Sequence, residues 1–141
     1  MSKQLTVEFL AELPELARLN DAVSEFACAQ DWSPESLFQI QLALEEVVVN
    51  VMSYGSEDGR LPKVCVKLRQ QGMHLAIEIA DDGIAFDPLQ NAEPDLDASL
   101  DDRAVGGLGV YLVRQLMDTV DYQRDSGRNI LSITKTLRTC L

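Results

Sequence analysis

Apolar and polar positions alternate at the start of the chain, where Leu5, Val7 and Phe9 are separated by polar residues. This two-residue repeat predicts a half-buried β-strand. The period then changes. Leu16, Leu19, Val23, Phe26 and Ala27 follow Pro14 at helical spacing. Ser33-Pro34-Glu35 carries the chemistry of a helix start: a hydroxyl that caps, a proline suited to the first turn, and a carboxylate at the positive end of the dipole. Leu37, Ile40, Leu44, Val47, Val48 and Val51 continue as the apolar stripe of a second amphipathic helix, which Gly55 and the Ser56–Gly59 run end.

Alternation returns in Val64, Val66 and Leu68, and again in Met73, Leu75, Ile77 and Ile79, with Gln70-Gln71-Gly72 between them. The two runs predict an antiparallel hairpin. Residues 88–105 have no apolar period and hold Glu93, Asp95, Asp97, Asp101 and Asp102, so a mobile loop is expected there. A third helix is expected from near Val110, carrying Leu112, Val113, Leu116 and Met117. Asp125-Ser126-Gly127-Arg128 then turns the chain between two last strands. This order predicts an α+β fold: a two-layer sandwich with helices on one face of a mostly antiparallel sheet, in a single domain over 1–141.

Charge narrows the function. The chain has 141 residues, with 12 Lys and Arg against 23 Asp and Glu, for a net charge of −11. That balance argues against direct nucleic-acid binding, which needs a basic face. A bound triphosphate would have to be neutralised by a metal and backbone amides, because basic side chains are scarce. Cys28, Cys65 and Cys140 are far apart in sequence, and His74 is the one histidine. Neither a zinc site nor a disulfide framework is expected. No segment reads as a signal peptide or a membrane span, so a cytoplasmic protein is expected.

Three places carry candidate chemistry. Glu46 and Asn50 are four residues apart, on one face of the second helix with Gln39, Ala43 and Ser53. An amide oxygen can ligate Mg²⁺ and a carboxylate can deprotonate a nucleophile; a solvated helix face is the plain alternative. Asp81 has the parity of Leu75, Ile77 and Ile79, so it points toward the core, and Gly83 permits a close backbone approach. A buried carboxylate suits an exocyclic amine such as that of adenine, although an Asp capping its own turn would look the same. Gly106, Gly107 and Gly109 precede the third helix, whose free amides could hold phosphate; a hinge is the alternative.

In their order and contexts, E-x-x-x-N on a helix, D-x-G-x-x-F after a strand and G-x-L-G opening a helix resemble the nucleotide-binding boxes of the GHKL ATPase superfamily. The resemblance covers about residues 5 to 137. Ala43–Asn50, Asp82–Pro88 and Gly106–Gly109 are similar to the anti-sigma-factor serine/threonine kinases of bacterial partner switching. A complete sensor histidine kinase is not expected, since His74 falls mid-strand in this reading. The resemblance implies a Bergerat-type fold, ATP and Mg²⁺ as cofactors, and a lid over about 88–105. It implies Glu46 as general base, Asn50 as Mg²⁺ ligand, and Asp81 as acceptor for the adenine amine with Gly83 beside the ring. Gly107, Leu108 and Gly109 would hold the phosphates and Arg103 would reach the γ-phosphate, with Ser132 or Thr134 touching the adenine side through water. The implied partners are a STAS-domain anti-sigma-factor antagonist, phosphorylated on Ser or Thr, and a sigma factor or other target, with the chain itself a homodimer. An ATP-dependent sequestration module without kinase turnover is the alternative function. Two positions depart from the pattern: Tyr54 stands where many relatives have histidine, and Ala85 where glycine or proline is frequent.

Overall fold

The computed structural model describes residues 2–56, 58–90 and 107–140. The elements are β1 (Ser2–Leu10), α1 (Leu13–Ala29), α2 (Pro34–Tyr54), β2 (Lys63–Gln71), β3 (His74–Asp81), a 3₁₀ turn at Pro88–Gln90, α3 (Gly107–Leu116), β4 (Thr119–Asp125) and β5 (Arg128–Thr136). The strands form one sheet in the order β1-β2-β3-β5-β4, antiparallel at every pairing. The helices cover one of its faces, giving the expected α+β sandwich of Bergerat type. No helix among the described residues is long and apolar enough to cross a membrane.

The core follows the alternation. Val7 and Phe9, then Val64, Val66 and Leu68, then Leu75, Ile77 and Ile79, then Leu131 and Ile133 are buried against Leu19, Val23, Ile40, Leu44 and Val48 of the helices. The intervening residues Lys63, Lys67 and Arg69 on β2 and Ser132 and Thr134 on β5 stand exposed on the opposite face. Burial on one face fixes register, because a one-residue slip would move every apolar side chain into water.

Local signals act as anticipated at the turns. Ser33 Oγ accepts the Ser36 N–H at 3.1 Å and caps α2, with Pro34 at its first position. Ser126 and Gly127 both take positive φ, 53° and 77°, and close the β4–β5 hairpin with the twist that paired strands prefer. Trp32 is buried, and its indole N–H donates to Gln70 Oε1 at 2.8 Å, so the ring's polar edge is satisfied inside the core. The three cysteines are free thiols.

Two boundaries differ from the sequence reading. His74 opens β3 and is exposed, where a mid-strand position was expected, because the turn takes Met73 as well as Gly72. The third helix begins at Gly107 rather than near Val110. Glycine is a poor helix former in the interior, but the first turn has no intrahelical N–H bonds to lose.

Ser33→Ala should lower stability by about 1 kcal/mol, seen as a melting temperature lower by about 3 °C, because the α2 cap is lost without disturbing the core.

Candidate functional site

Helix α2 lies between α1 and α3. Much of its second face is covered, since Ala43 is fully buried and Asn50 is 6% exposed, whereas Ser53 of the same stripe is exposed. Glu46, one turn earlier, is half-buried. The Asn50 side chain lines an internal cavity and makes no hydrogen bond among the described residues. Buried amides are ordinarily hydrogen-bonded in native folds, which makes Asn50 a candidate for binding.

The same cavity is bounded by Val47, Val51 and Gly55 at the end of α2, by Ile79 and Asp81 of β3, and by Phe86 and Pro88 beyond it. Tyr122 of β4 and Asn129 and Leu131 of β5 complete it. Its enclosed volume is about 30 Å³, far below the roughly 300–1,000 Å³ of small-molecule sites. Phe86 is backed by Tyr54, the two rings stacking at 4.7 Å between centroids and 16° between planes. At position 54, then, the ring packs.

Asp81 faces the core, as its parity predicts, and is 5% exposed. Its Oδ1 accepts the Gly83 N–H at 2.9 Å and an Asn129 Nδ2–H at 3.0 Å. The carboxylate thus caps its own turn and lines the cavity at once, so the two sequence readings are not exclusive. Oδ2 has no hydrogen-bond partner among the described residues. Burial pushes the Asp81 carboxyl above its ordinary range; the bonds from Asn129 and Gly83, and the Arg124 charge, oppose that rise. Neighbouring Asp82 points the other way, where its Oδ1 accepts the Lys63 N–H at 2.7 Å and its Oδ2 meets Arg60 at 3.3 Å.

Gly83 has a reason in the backbone. A Cβ there would lie 2.5 Å from the Gly55 carbonyl oxygen, a distance that atoms do not share. That carbonyl also accepts the Ile84 N–H at 3.0 Å. The turn after β3 is therefore pressed onto the C-terminus of α2, and any side chain at 83 would separate them.

Asn129 is the functional candidate that sequence reasoning missed. It is 6% exposed, pairs with Asp81 in the β3–β5 register and contacts that carboxylate directly. Counting back by twos from Ile133 and Leu131 would have found it. Ser132 and Thr134, expected to reach the adenine side, have the opposite parity: both are exposed on the far face, and the Thr134 hydroxyl pairs with that of Thr119 at 2.6 Å. Gly107, Leu108 and Gly109 form the first turn of α3, the helix packed on α2. Arg103 and Gly106, with most of the expected lid, lie outside the described residues.

The histidine kinase-like ATPase domain family matches residues 9–135. A serine/threonine-protein kinase, BtrW of Bordetella bronchiseptica, is 35% identical over 79% of this chain and 79% of its own length. An anti-sigma F factor of Clostridium acetobutylicum is 24% identical over 96% of this chain and 94% of its own. A serine-protein kinase RsbW of Halalkalibacterium halodurans is 27% identical over 96% and 83%. Among solved structures, a Mycobacterium tuberculosis chain with RsbU and RsbW domains superposes with a TM-score of 0.68 over 96% of this chain. This chain spans 32% of that longer one at 14% identity, a likeness of fold alone.

An acid whose pKa is higher folded than unfolded lowers stability once pH exceeds its folded pKa, and that loss is absent below the unfolded value. Asp81→Asn keeps an oxygen for Gly83 and Asn129 and removes the desolvated charge. The variant should therefore melt higher than wild type near neutral pH, and the difference should vanish below pH 3.8, the ordinary carboxyl value.

Proposed function

This chain belongs to the histidine kinase-like ATPase domain family, and from that premise we propose that it is an ATP-dependent serine/threonine protein kinase of a partner-switching system. Its substrate would be a hydroxyl of a STAS-domain antagonist, and its second partner a sigma factor or other regulatory protein held according to the antagonist's phosphorylation. The observation that carries this reading is one apolar cavity faced by two buried polar groups that have unused capacity among the described residues: the amide of Asn50 and Oδ2 of Asp81. The kinase and anti-sigma names of the relatives support the class of partner.

The reading assigns these roles. Asp81 accepts the exocyclic amine of adenine. Gly83 acts at one remove, letting the Asp81 turn seat on Gly55, so its part is to place the carboxylate rather than to touch the ring. The first-turn amides of Gly107, Leu108 and Gly109 face the phosphates, since helix N-termini carry unpaired N–H groups and partial positive charge. Asn50 offers one hard oxygen donor. Among the described residues no group of three or more His, Cys, Asp or Glu could hold a metal, so a Mg²⁺ ion here would complete its shell with phosphate and water oxygens, as that ion ordinarily does. When bound, Mg²⁺ offsets phosphate charge that a chain of net charge −11 meets with few cations of its own. Arg103 would be one such cation for the γ-phosphate. Glu46, one helical turn from Asn50, takes the proton of the attacking hydroxyl. Phosphoryl transfer demands mainly positioning and charge neutralisation, which this set provides.

With labelled ATP and a STAS-domain antagonist, the wild type should transfer phosphate. Glu46→Ala should lower transfer by about 100-fold or more while still binding nucleotide. Full transfer by Glu46→Ala, or none by wild type, would remove the kinase role; ATP-dependent capture without transfer would select the sequestration module. Asn50→Ala should weaken Mg²⁺-ATP affinity by about tenfold or more, measured by calorimetry.

A further inference from the structure

Lys135 stands where the alternation calls for a core residue. It has the parity of Leu131 and Ile133, both buried on the dry face of the sheet, and it pairs with buried Leu75 in the β3–β5 register. A charged group leaving that face needs a hydrogen-bond partner. Lys135 Nζ has one: it donates to the carbonyl of Leu116, the last residue of α3, at 2.6 Å. A helix leaves its final carbonyls without intrahelical partners and carries partial negative charge at that end, so an ammonium suits the position twice over.

Helix α3 has little else to fix its direction. It is ten residues long and opens on Gly107-Leu108-Gly109. A helix so short is marginal by itself, and glycine weakens it further. Val110 and Val113 are buried on its inner side, but apolar contact is non-directional and tolerates a tilt. Two further bonds act just past the helix: the Asp118 N–H donates to the Thr134 carbonyl at 2.9 Å, and Asp118 Oδ2 accepts the Thr136 N–H at 2.7 Å. Those two fasten the start of β4. Among the described residues, Lys135 is the side chain of the sheet that bonds to α3 itself.

We propose that Lys135 is a positioning residue for the phosphates of the bound nucleotide: from β5 it pins the far end of α3 and so sets where the amides of Gly107, Leu108 and Gly109 stand. This rests on the ATP reading above. Ten residues at 1.5 Å each make a rod of about 15 Å, so a tilt of about 4° at Leu116 moves the first turn by about 1 Å. Hydrogen bonds to phosphate oxygens are directional and short, and a shift of that size breaks them. The apolar cavity is insulated from the same movement, because none of its described lining residues belongs to α3.

The test is a calorimetric comparison of Mg²⁺-ATP with adenosine, which lacks the phosphates, on the full chain. Lys135→Met keeps most of the stem and removes the donor. It should bind Mg²⁺-ATP about tenfold more weakly and adenosine within about twofold of wild type. Lys135→Arg restores a charged donor and should bring ATP affinity back to within about threefold of wild type. Amide hydrogen exchange in α3 should be about tenfold faster in Lys135→Met, with the β2–β3 hairpin unchanged. A residue needed only for stability would lower the melting temperature without separating the two ligands. Wild type that binds no ATP removes the nucleotide reading and this proposal with it. If wild type binds ATP, a Lys135→Met variant that equals it, or that loses both ligands alike, removes the proposal alone. Where adenosine binds too weakly to measure, wild-type exchange rates in α3 of Lys135→Met overturn it. If Lys135→Met does not fold, Lys135→Gln takes its place, and a wild-type ratio of the two affinities or wild-type exchange in α3 overturns the proposal.

Discussion

One face of the sheet is dry and the other is wet, and each strand-borne site residue takes its place from that asymmetry. The alternation that buries Leu75, Ile77 and Ile79 also delivers Asp81 into the core. The alternation that buries Leu131 and Ile133 delivers Asn129. Because β3 and β5 are antiparallel, the end of one meets the start of the other, and the two polar residues arrive as register partners. Polar chemistry thus enters the core on the last rung of the sheet, where turn backbone is at hand to satisfy it.

Those buried polar groups are not treated alike. Asn129 is saturated, and one oxygen of Asp81 accepts two bonds. Asn50 and the second Asp81 oxygen are left without partners among the described residues. An unmet buried polar group costs about 1–3 kcal/mol. The saturated groups hold the unsaturated ones in place, and the apolar lining from Val47, Val51, Ile79 and Leu131 strengthens each polar contact by excluding water.

Much of this was legible in the chain. The helix start at Ser33, the hairpin turn at Gly72, the last hairpin at Ser126-Gly127 and the inward aim of Asp81 each followed from a local rule. Asn129 obeys the same parity as Asp81 but was passed over for the hydroxyls of Ser132 and Thr134, one of which is the next residue after core-facing Leu131. Residue type suggested water-mediated chemistry; parity placed both on the wet face. The Tyr54–Phe86 stack joins a helix end to a loop 32 positions later, and no local pattern announces such a pairing. Gly83 was read for its nearness to a ligand, whereas its tightest constraint is another piece of backbone.

That backbone contact has a mechanical meaning. Gly55 ends the helix that carries Glu46 and Asn50, and Gly83 belongs to the turn that carries Asp81. With no side chain at 83 to hold them apart, and the Ile84 N–H bonded across the joint, helix and turn meet as a rigid corner. The separation between the Asn50 amide and the Asp81 carboxylate is then set by main chain rather than by adjustable side chains. The Asn50 amide and the Asp81 carboxylate thus face one cavity across a gap that the main chain holds constant.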